Sequence, residues 1–401
     1  MMSNIPKLRF PEFKGEWEEK KLSDFMTRLT RKNSNNESSR ALTISSVDGL
    51  IDQGEFFKKQ IASKDTSGYY LLKKGDFAYN KSYSVGYDYG SIKRLDRYED
   101  GVVSTLYICM SLTSDTNSDY LTHYFDSMKW NKSVSEISAE GARNHGLLNI
   151  PTEAFFQTKH FLAPSSQEQQ KIADFLSNVD SIITAETKIL NSLQKKKKAL
   201  MQKLFTQQLR FKSNDGTDFP AWEEKKLGEF CKTYSGGTPK SGTADYYGGE
   251  IPFIRSGEIS SNKTELFLTE KGMENSSAKM VSKGDILYAL YGANSGLCSI
   301  SKIDGAINQA ILCIKTKENK RFLCNYLQYQ REYFYSTYLQ GGQGNLSGKL
   351  VDSFIIPLPC LVEQQKIADC LSSMDSLIQT QQKVVTTWQQ RKKALLQQMF
   401  I

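Results

Sequence analysis

Histidine is scarce in this chain. Only His123, His145 and His160 occur in 401 residues, and no spacing among them suits a shared metal ion. Much metal and general-base chemistry is thereby made improbable. The seven cysteines include no CxxC pair, and their odd number argues against both a disulfide framework and a zinc knuckle. No apolar run nears the roughly 20 residues that a membrane span needs, and the opening MMSNIPKLRFPEF lacks the apolar core of a signal peptide. A reducing cytoplasm is the expected compartment. Catalytic signatures are missing too. The string nearest to a P-loop, Gly348-Lys349-Leu350, lacks the Ser/Thr hydroxyl for magnesium, and Gln343 stands where the first glycine should be. There is no HExxH and no GxSxG. Nor is there an Asn-Pro-Pro-Tyr-type string of the kind that holds a flipped base in amino-methyltransferases. An enzyme of this length usually shows one such device, so recognition or scaffolding is the favoured class.

What is present suffices for several cores. Hydrophobic residues make up 39% and charged residues 24%, which excludes a disordered chain, and the length suggests two to three domains. Lys and Arg number 52 against 44 Asp and Glu, a formal charge of +8. That excess permits a polyanionic partner without demanding one.

The sequence then repeats itself. Glu168 to Asp174 reads EQQKIAD, and so does Glu363 to Asp369. The same interval relates Pro164 to Pro359, Asp180-Ser181 to Asp375-Ser376, and Lys197-Lys198-Ala199-Leu200 to Lys392-Lys393-Ala394-Leu395. Upstream, Trp17 opens WEEKKLSDF and Trp222 opens WEEKKLGEF. Fainter echoes link Lys74-Gly75-Asp76 with Lys283-Gly284-Asp285, and Gly101-Val102-Val103 with Gly305-Ala306-Ile307. Two copies are too few for a solenoid and suggest a pseudo-dimer folded from one chain. The expected divisions are 1–163, 164–208, 209–358 and 359–401.

Residues 164–208 and 359–401 read as long helices. Ile172, Leu176, Val179, Ile183, Glu186, Leu190, Leu193, Lys197, Leu200 and Leu204 alternate by four and three. In the second copy the series is Ile367, Leu371, Met374, Ile378, Gln381, Val385, Trp388, Lys392, Leu395 and Met399. The polar exceptions fall at the same two places. Burial in a globular core is one reading; the shared exceptions favour a seam between the two helices, which a two-fold relation would make antiparallel. Pro164 and Pro359 mark the approaches, and Ser166 to Phe205 would give about 60 Å of rod at 1.5 Å per residue. The run Lys195-Lys196-Lys197-Lys198 reads most simply as a solvated helix end, with phosphate binding as the sharper alternative.

The remaining stretches read as strands separated by glycine-bearing turns: Thr43–Val47, Asp76–Tyr79, Val102–Met110, Ile251–Ile254, Asp285–Tyr291 and Ala310–Lys315. Candidate contact loops are Lys81, Ser82, Tyr83 and Ser84; Arg143, Asn144 and His145; Gly237, Thr238 and Lys240; Arg255 and Ser256; Tyr291, Asn294 and Ser295; and Gln340, Gln343 and Asn345. Any one of them can be an ordinary turn. Their equivalent placement in the two halves favours a shared task, and the amides from Gln340 to Asn345 could pair with adenine edges.

The duplicated EQQKIAD helices after prolines, the lysine-plus-AL helix ends, the WEEKKL segments and GGTPKSGTADYYGGEIPFIRSGEI from Gly236 to Ile259 resemble the specificity (S) subunit of Type I DNA restriction-modification systems. The likeness spans nearly the whole chain. It implies an α+β protein: two strand-rich target-recognition domains, joined and spaced by two long antiparallel coiled-coil helices with pseudo-two-fold symmetry. Each domain would read one half of a bipartite asymmetric site in double-stranded DNA, with Lys81, Lys240 and Arg255 on phosphates to position rather than specify. Two modification subunits would dock on the helices and methylate adenine with S-adenosylmethionine. Two restriction subunits, where the system has them, would add ATP- and Mg-dependent translocation and cleavage. No cofactor or metal is expected in this chain. A fused methyltransferase and a coiled-coil scaffold without DNA readout are the competing readings.

Overall fold

The computed structural model describes residues 4–46, 48–57, 63, 65–138, 148–338 and 345–401. The chain is α+β and divides into two compact units, residues 1–188 with 383–401 and residues 189–382. Ser166–Phe205 and Leu361–Met399 are the two long helices, of 40 and 39 residues. The first begins in one unit and ends in the other, and so does the second.

In the first unit, Glu18–Lys21 pairs antiparallel with Lys159–Leu162, which leads through Pro164 into the first long helix. A four-stranded antiparallel sheet follows the order Met26–Arg28, Ile108–Leu112, Phe77–Asn80, Ser91–Arg94. Two smaller pairs, Leu42–Ser45 with Gly49–Asp52 and Tyr70–Lys73 with Asp100–Val103, complete the strands. The stretch expected as one strand from Val102 to Met110 is two. A turn closed by the Tyr107 amide on the Ser104 carbonyl (3.1 Å) separates them, with the Ser104 hydroxyl accepting from the Leu106 amide.

The second unit repeats the frame. Glu223–Lys226 pairs with Ile355–Leu358 ahead of the second long helix. Its four-stranded sheet runs Cys231–Ser235, Ile311–Thr316, Ile286–Ala289, Cys298–Ile300. A further sheet, ordered Phe267–Leu268, Tyr247–Ile254, Gly305–Ile307, Lys279–Val281, has no four-stranded counterpart among the described residues of the first unit. The Lys-Gly-Asp echo is a turn. Gly75 and Gly284 adopt φ of 92° and 90°, and Asp76 and Asp285 accept from the amides of Lys73 and Ser282.

The EQQKIAD repeat now has a physical account. Glu168 is 1% exposed; it accepts from Arg9 Nε and Nη2 at 2.7 and 2.8 Å and from Trp17 Nε1 at 3.2 Å. Glu363, 0% exposed, accepts from Arg210 Nε and Nη2 at 3.1 and 2.8 Å and from Trp222 Nε1 at 3.0 Å. A bidentate guanidinium and an indole N–H compensate a carboxylate that burial would otherwise penalise heavily. The next residue, Gln169 or Gln364, accepts from the amide of Asn117 or Asn319 and donates to the carbonyl of Ala163 or Pro359. Gln170 or Gln365 then accepts from the side-chain amide of the same asparagine. Each asparagine caps a helix, Ser118–Asp126 or Lys320–Tyr329. The repeated heptapeptide thus ties the start of each long helix to its lead-in segment and to one domain helix.

The helices pair in antiparallel fashion within each unit. Ile172 and Leu176 share the first unit's core with Leu396, Met399 and Phe400. Ile367 and Leu371 share the second's with Met201, Leu204 and Phe205. Val179, Leu190 and Val385 are buried. Ile183, Leu193, Leu200, Met374, Ile378, Trp388 and Leu395 are half-buried, as suits a seam of only two helices. The expectation of a helix–helix seam alone needs correcting at the ends. There the helices are wrapped by domain, and Phe205 meets the rings of Phe322, Tyr326 and Tyr329. Lys197 is no solvated residue. It pairs with Asp375 at 2.6 Å, and Lys392 pairs with Asp180 at 2.7 Å.

His160 is buried, with Tyr124 Oη 2.8 Å from Nδ1 and Thr158 Oγ1 2.8 Å from Nε2. Burial drops its pKa from the ordinary 6.5 to about 3. Between those values the unfolded chain binds a proton that the folded chain refuses, so stability falls as pH falls. From pH 7 to pH 5, urea unfolding is expected to show a steeper loss for the wild type than for His160→Gln, by up to about 1.4 kcal/mol per unit below pH 6. Equal slopes would contradict a buried neutral His160. Separately, Glu363→Ala leaves Arg210 and Trp222 without their acceptor and should cost about 3 kcal/mol in the same assay. A loss below about 1 kcal/mol would show the tie to be dispensable.

Candidate nucleic-acid interface

In the second unit the strand Ile286–Ala289 delivers the chain to a loop whose 3-10 turn spans Gly292–Asn294. Four other segments meet this strand end. The Leu290 amide donates to the Ala310 carbonyl at 2.8 Å, and the Leu290 carbonyl accepts from the Leu346 amide at 2.9 Å. Asn345, beside Leu346, is exposed. Thr238 Oγ1 donates to Gln309 Oε1 at 2.5 Å, which draws in the Gly237-Thr238 segment. The Asn294 side-chain amide lies 3.5 Å from where a Cβ on Gly257 would stand, next to Arg255 and Ser256. Five loops dispersed over 109 residues of sequence therefore crowd one rim, from Gly237 to Asn345. Lys240 is exposed nearby in sequence.

The first unit uses the same device. The Lys81 carbonyl accepts from the Leu148 amide at 3.0 Å, as Leu290 accepts from Leu346. Lys81, Ser82, Tyr83 and Ser84 lead into a hairpin tip at Val85-Gly86, where Gly86 adopts a φ of 82°. The Asn80 side chain accepts from the Ser82 amide, and Ser84 Oγ lies 3.2 Å from Ser46 Oγ. Burial holds the Lys81 ammonium below its ordinary pKa. Tyr83 is exposed, and Val85, an apolar side chain, is 92% exposed at the tip. A base edge or a thymine methyl would suit that side chain.

Two sequence expectations change. Arg255 does not present a free charge. Its guanidinium donates to Glu258 at 3.1 and 3.0 Å and to Glu265 at 2.5 Å. Burial alone would raise the pKa of Glu258, but Arg255 and the amides of Glu265 and Arg255 pull it down to about 2. Ser295 is buried and donates to the Leu290 carbonyl, so it shapes the loop from beneath. Tyr291 is partly buried against the core. Arg143, Asn144, His145, Gln340 and Gln343 lie outside the described residues. Val85, Gln309 and Arg331 were missed by sequence reasoning. Arg331 donates to the carbonyls of Ser295 (2.9 Å) and Ala293 (3.2 Å) and so props the loop from 36 to 38 residues away. No local pattern announces a contact of that range.

The model of the family described as "Type I restriction modification DNA specificity domain" matches residues 14–195 and again 221–387. The chain belongs to that family. A putative type I restriction enzyme MjaX specificity subunit from Methanocaldococcus jannaschii is 29% identical over 291 residues. That match covers 69% of this chain and 65% of the relative, so the chain spans just under two thirds of that relative's length. Among solved structures, the S subunit of a Type I restriction-modification system from M. genitalium shares 14% identity at a TM-score of 0.56, over 99% of both chains. A chain from a type I R-M system, solved in work on its assembly and conformational transition, shares 17% identity at a TM-score of 0.59, over 96% of this chain and 97% of that one. Both share the fold of this specificity-domain protein. Among the described residues no helix is long and apolar enough to cross a membrane.

These placements rank two substitutions. With the assembled complex, Asn294→Ala should relax base discrimination in one half of the recognised sequence by about tenfold. Arg255→Gln, whose charge two carboxylates already answer, should alter DNA affinity by less than about threefold in the folded fraction. The reverse ranking in a filter-binding or anisotropy titration would contradict the assignment.

Proposed function

We propose that this chain is the DNA sequence-specificity subunit of a Type I restriction-modification complex. Each unit reads one half of a bipartite, asymmetric site in double-stranded DNA. The observation that carries this reading is the duplicated rim. In both units a strand-end loop and a second loop are held by the same carbonyl–amide bond, Lys81 to Leu148 and Leu290 to Leu346, while the side chains around them differ. Equivalent frames with different tips suit two different half-sites. Phosphate contacts from Lys81 and Lys240 position the duplex, and the loop amides and hydroxyls specify bases.

The long helices act as a ruler. Forty residues of helix measure about 60 Å, ample for half-sites about 34 Å apart, one duplex turn centre to centre. The bases between half-sites go unread, but their number is set.

Catalysis belongs to partners. Two modification subunits dock on the helices and carry S-adenosylmethionine; two restriction subunits, where present, bring ATP and Mg. An apolar stripe supports docking. Phe175 and Ile182, seven residues apart on the first unit's stretch of the first long helix, are 38 and 36% exposed. In the first unit, Phe175, Val179, Ile182, Trp388 and Leu395 help line an apolar groove of about 420 Å³. Such a surface on a water-exposed helix marks a protein contact. The +8 charge is modest, so the partners supply part of the electrostatic affinity.

Footprinting of the complex is expected to show two short protected blocks around an indifferent gap. Removing one heptad between Leu176 and Leu204 should change the preferred gap or abolish binding while leaving each half-site's sequence as it was. An unaltered gap would refute the ruler.

A further inference from the structure

The second unit carries a groove of about 900 Å³ that begins at the tip of the Tyr291–Gly296 loop and ends on the first long helix. Gly292 and Ala293 of the loop, Lys197, Lys198 and Gln202 of the helix, and Arg331 and Tyr333 line it. We infer that this groove is a phosphate track, which holds the sugar–phosphate backbone where the duplex passes from the half-site towards the spacer. The inference rests on the reading that this unit binds DNA through its loop rim.

Charge and shape support it. Lys198 is exposed and takes part in no ion pair among the described residues. Arg331 spends two N–H groups on the carbonyls of Ala293 and Ser295, and no carboxylate among the described residues pairs with it. Its positive charge therefore faces the groove unanswered. Lys197 has its charge met by Asp375, and Glu332 is the single carboxylate in the lining. The balance is thus two free cations against one anion. Around them stand the amides of Gln194 and Gln202, which can donate to phosphate oxygens at any pH, and Tyr333 offers a ring that is 57% exposed, against which a deoxyribose can pack.

Position singles out DNA over an acidic peptide. Ala293 belongs both to the groove and to the loop that presents Asn294. A major groove is about 12 Å wide and about 8.5 Å deep, so a side chain on its base edges has a phosphate row within roughly 10 Å. The groove begins where that row must pass. The lysine run of the first long helix, ambiguous in sequence, divides accordingly: Lys197 closes the helix pair and Lys198 faces the track.

The test uses the chain assembled with its modification subunits and a duplex bearing the sequence that the complex methylates. Lys198→Gln removes one charge at an exposed helical position. The slope of log K against log[salt] should become shallower by about 0.9, and affinity near 0.1 M salt should fall about three- to tenfold. The methylated sequence should not change. Single methylphosphonates beside the half-site of this unit should weaken the wild type at one or two phosphates, and Lys198→Gln should be insensitive at the same ones. Unaltered salt slope and unaltered phosphonate pattern would overturn the track. So would loss of modification subunits from the Lys198→Gln complex in native mass spectrometry, which would make the groove a protein contact. Asn294→Ala separates the two levels. If it harms one half-site while Lys198→Gln changes nothing, the track alone fails; if neither variant affects DNA binding, the DNA reading of this unit fails.

Discussion

A carboxylate removed from water sits at the head of each long helix, and most of the architecture follows from satisfying it. Glu168 and Glu363 are in the first turns, where negative charge suits the helix dipole, yet their burial leaves no solvent to solvate them. The compensation must be geometric. Arg9 and Trp17, or Arg210 and Trp222, have to arrive from a lead-in segment some 150 residues upstream with bidentate alignment. Each arginine also grips lead-in carbonyls, Gly15 or Pro220. With the two following glutamines holding an asparagine cap, every domain is registered against its own stretch of helix from two directions. Loss of one partner would strand the others, so the arrangement is all-or-none.

That registration has a functional consequence. A reader of DNA must place side chains on base edges within an ångström or so, and a loop alone cannot. Here the loops hang from strand ends whose sheets are fixed to the helix start. Props such as Arg331 and the buried Ser295 hydroxyl shape the last few residues. The frame is common to both units, while the tips diverge: a hairpin crowned by Val85 in one, a 3-10 turn with Asn294 and an additional sheet in the other. On the proposed reading, specificity changes at the tips without disturbing the registration.

Much of the frame was legible in the sequence. The paired EQQKIAD strings, the two WEEKKL segments and the matched polar breaks at Lys197 and Lys392 implied duplicated long helices, and Ser166 to Phe205 was delimited by Pro164 and the end of the apolar period. Those signals are local and periodic, hence visible along a line. Less visible was the tie itself. Leu8-Arg9-Phe10 and Leu209-Arg210-Phe211 are also a repeat, but it is three residues long, and its interval differs from both larger ones. The candidate loops were found by composition. Arg255 was misjudged because nothing in composition says that Glu258 and Glu265 would enclose it.

By itself the sequence determined the class of protein, the duplication and the two helices, because heptad periodicity and repeats are properties of neighbouring residues. The tertiary structure decided which polar groups are spent inside and which remain for a ligand. Glu168, Glu363, Arg255, Ser295 and Lys197 are committed to internal partners; Lys198, Asn345, Tyr83 and Val85 are left exposed. That division depends on contacts between residues up to 178 positions apart, and charge pairing across such distances leaves no periodic trace in the chain.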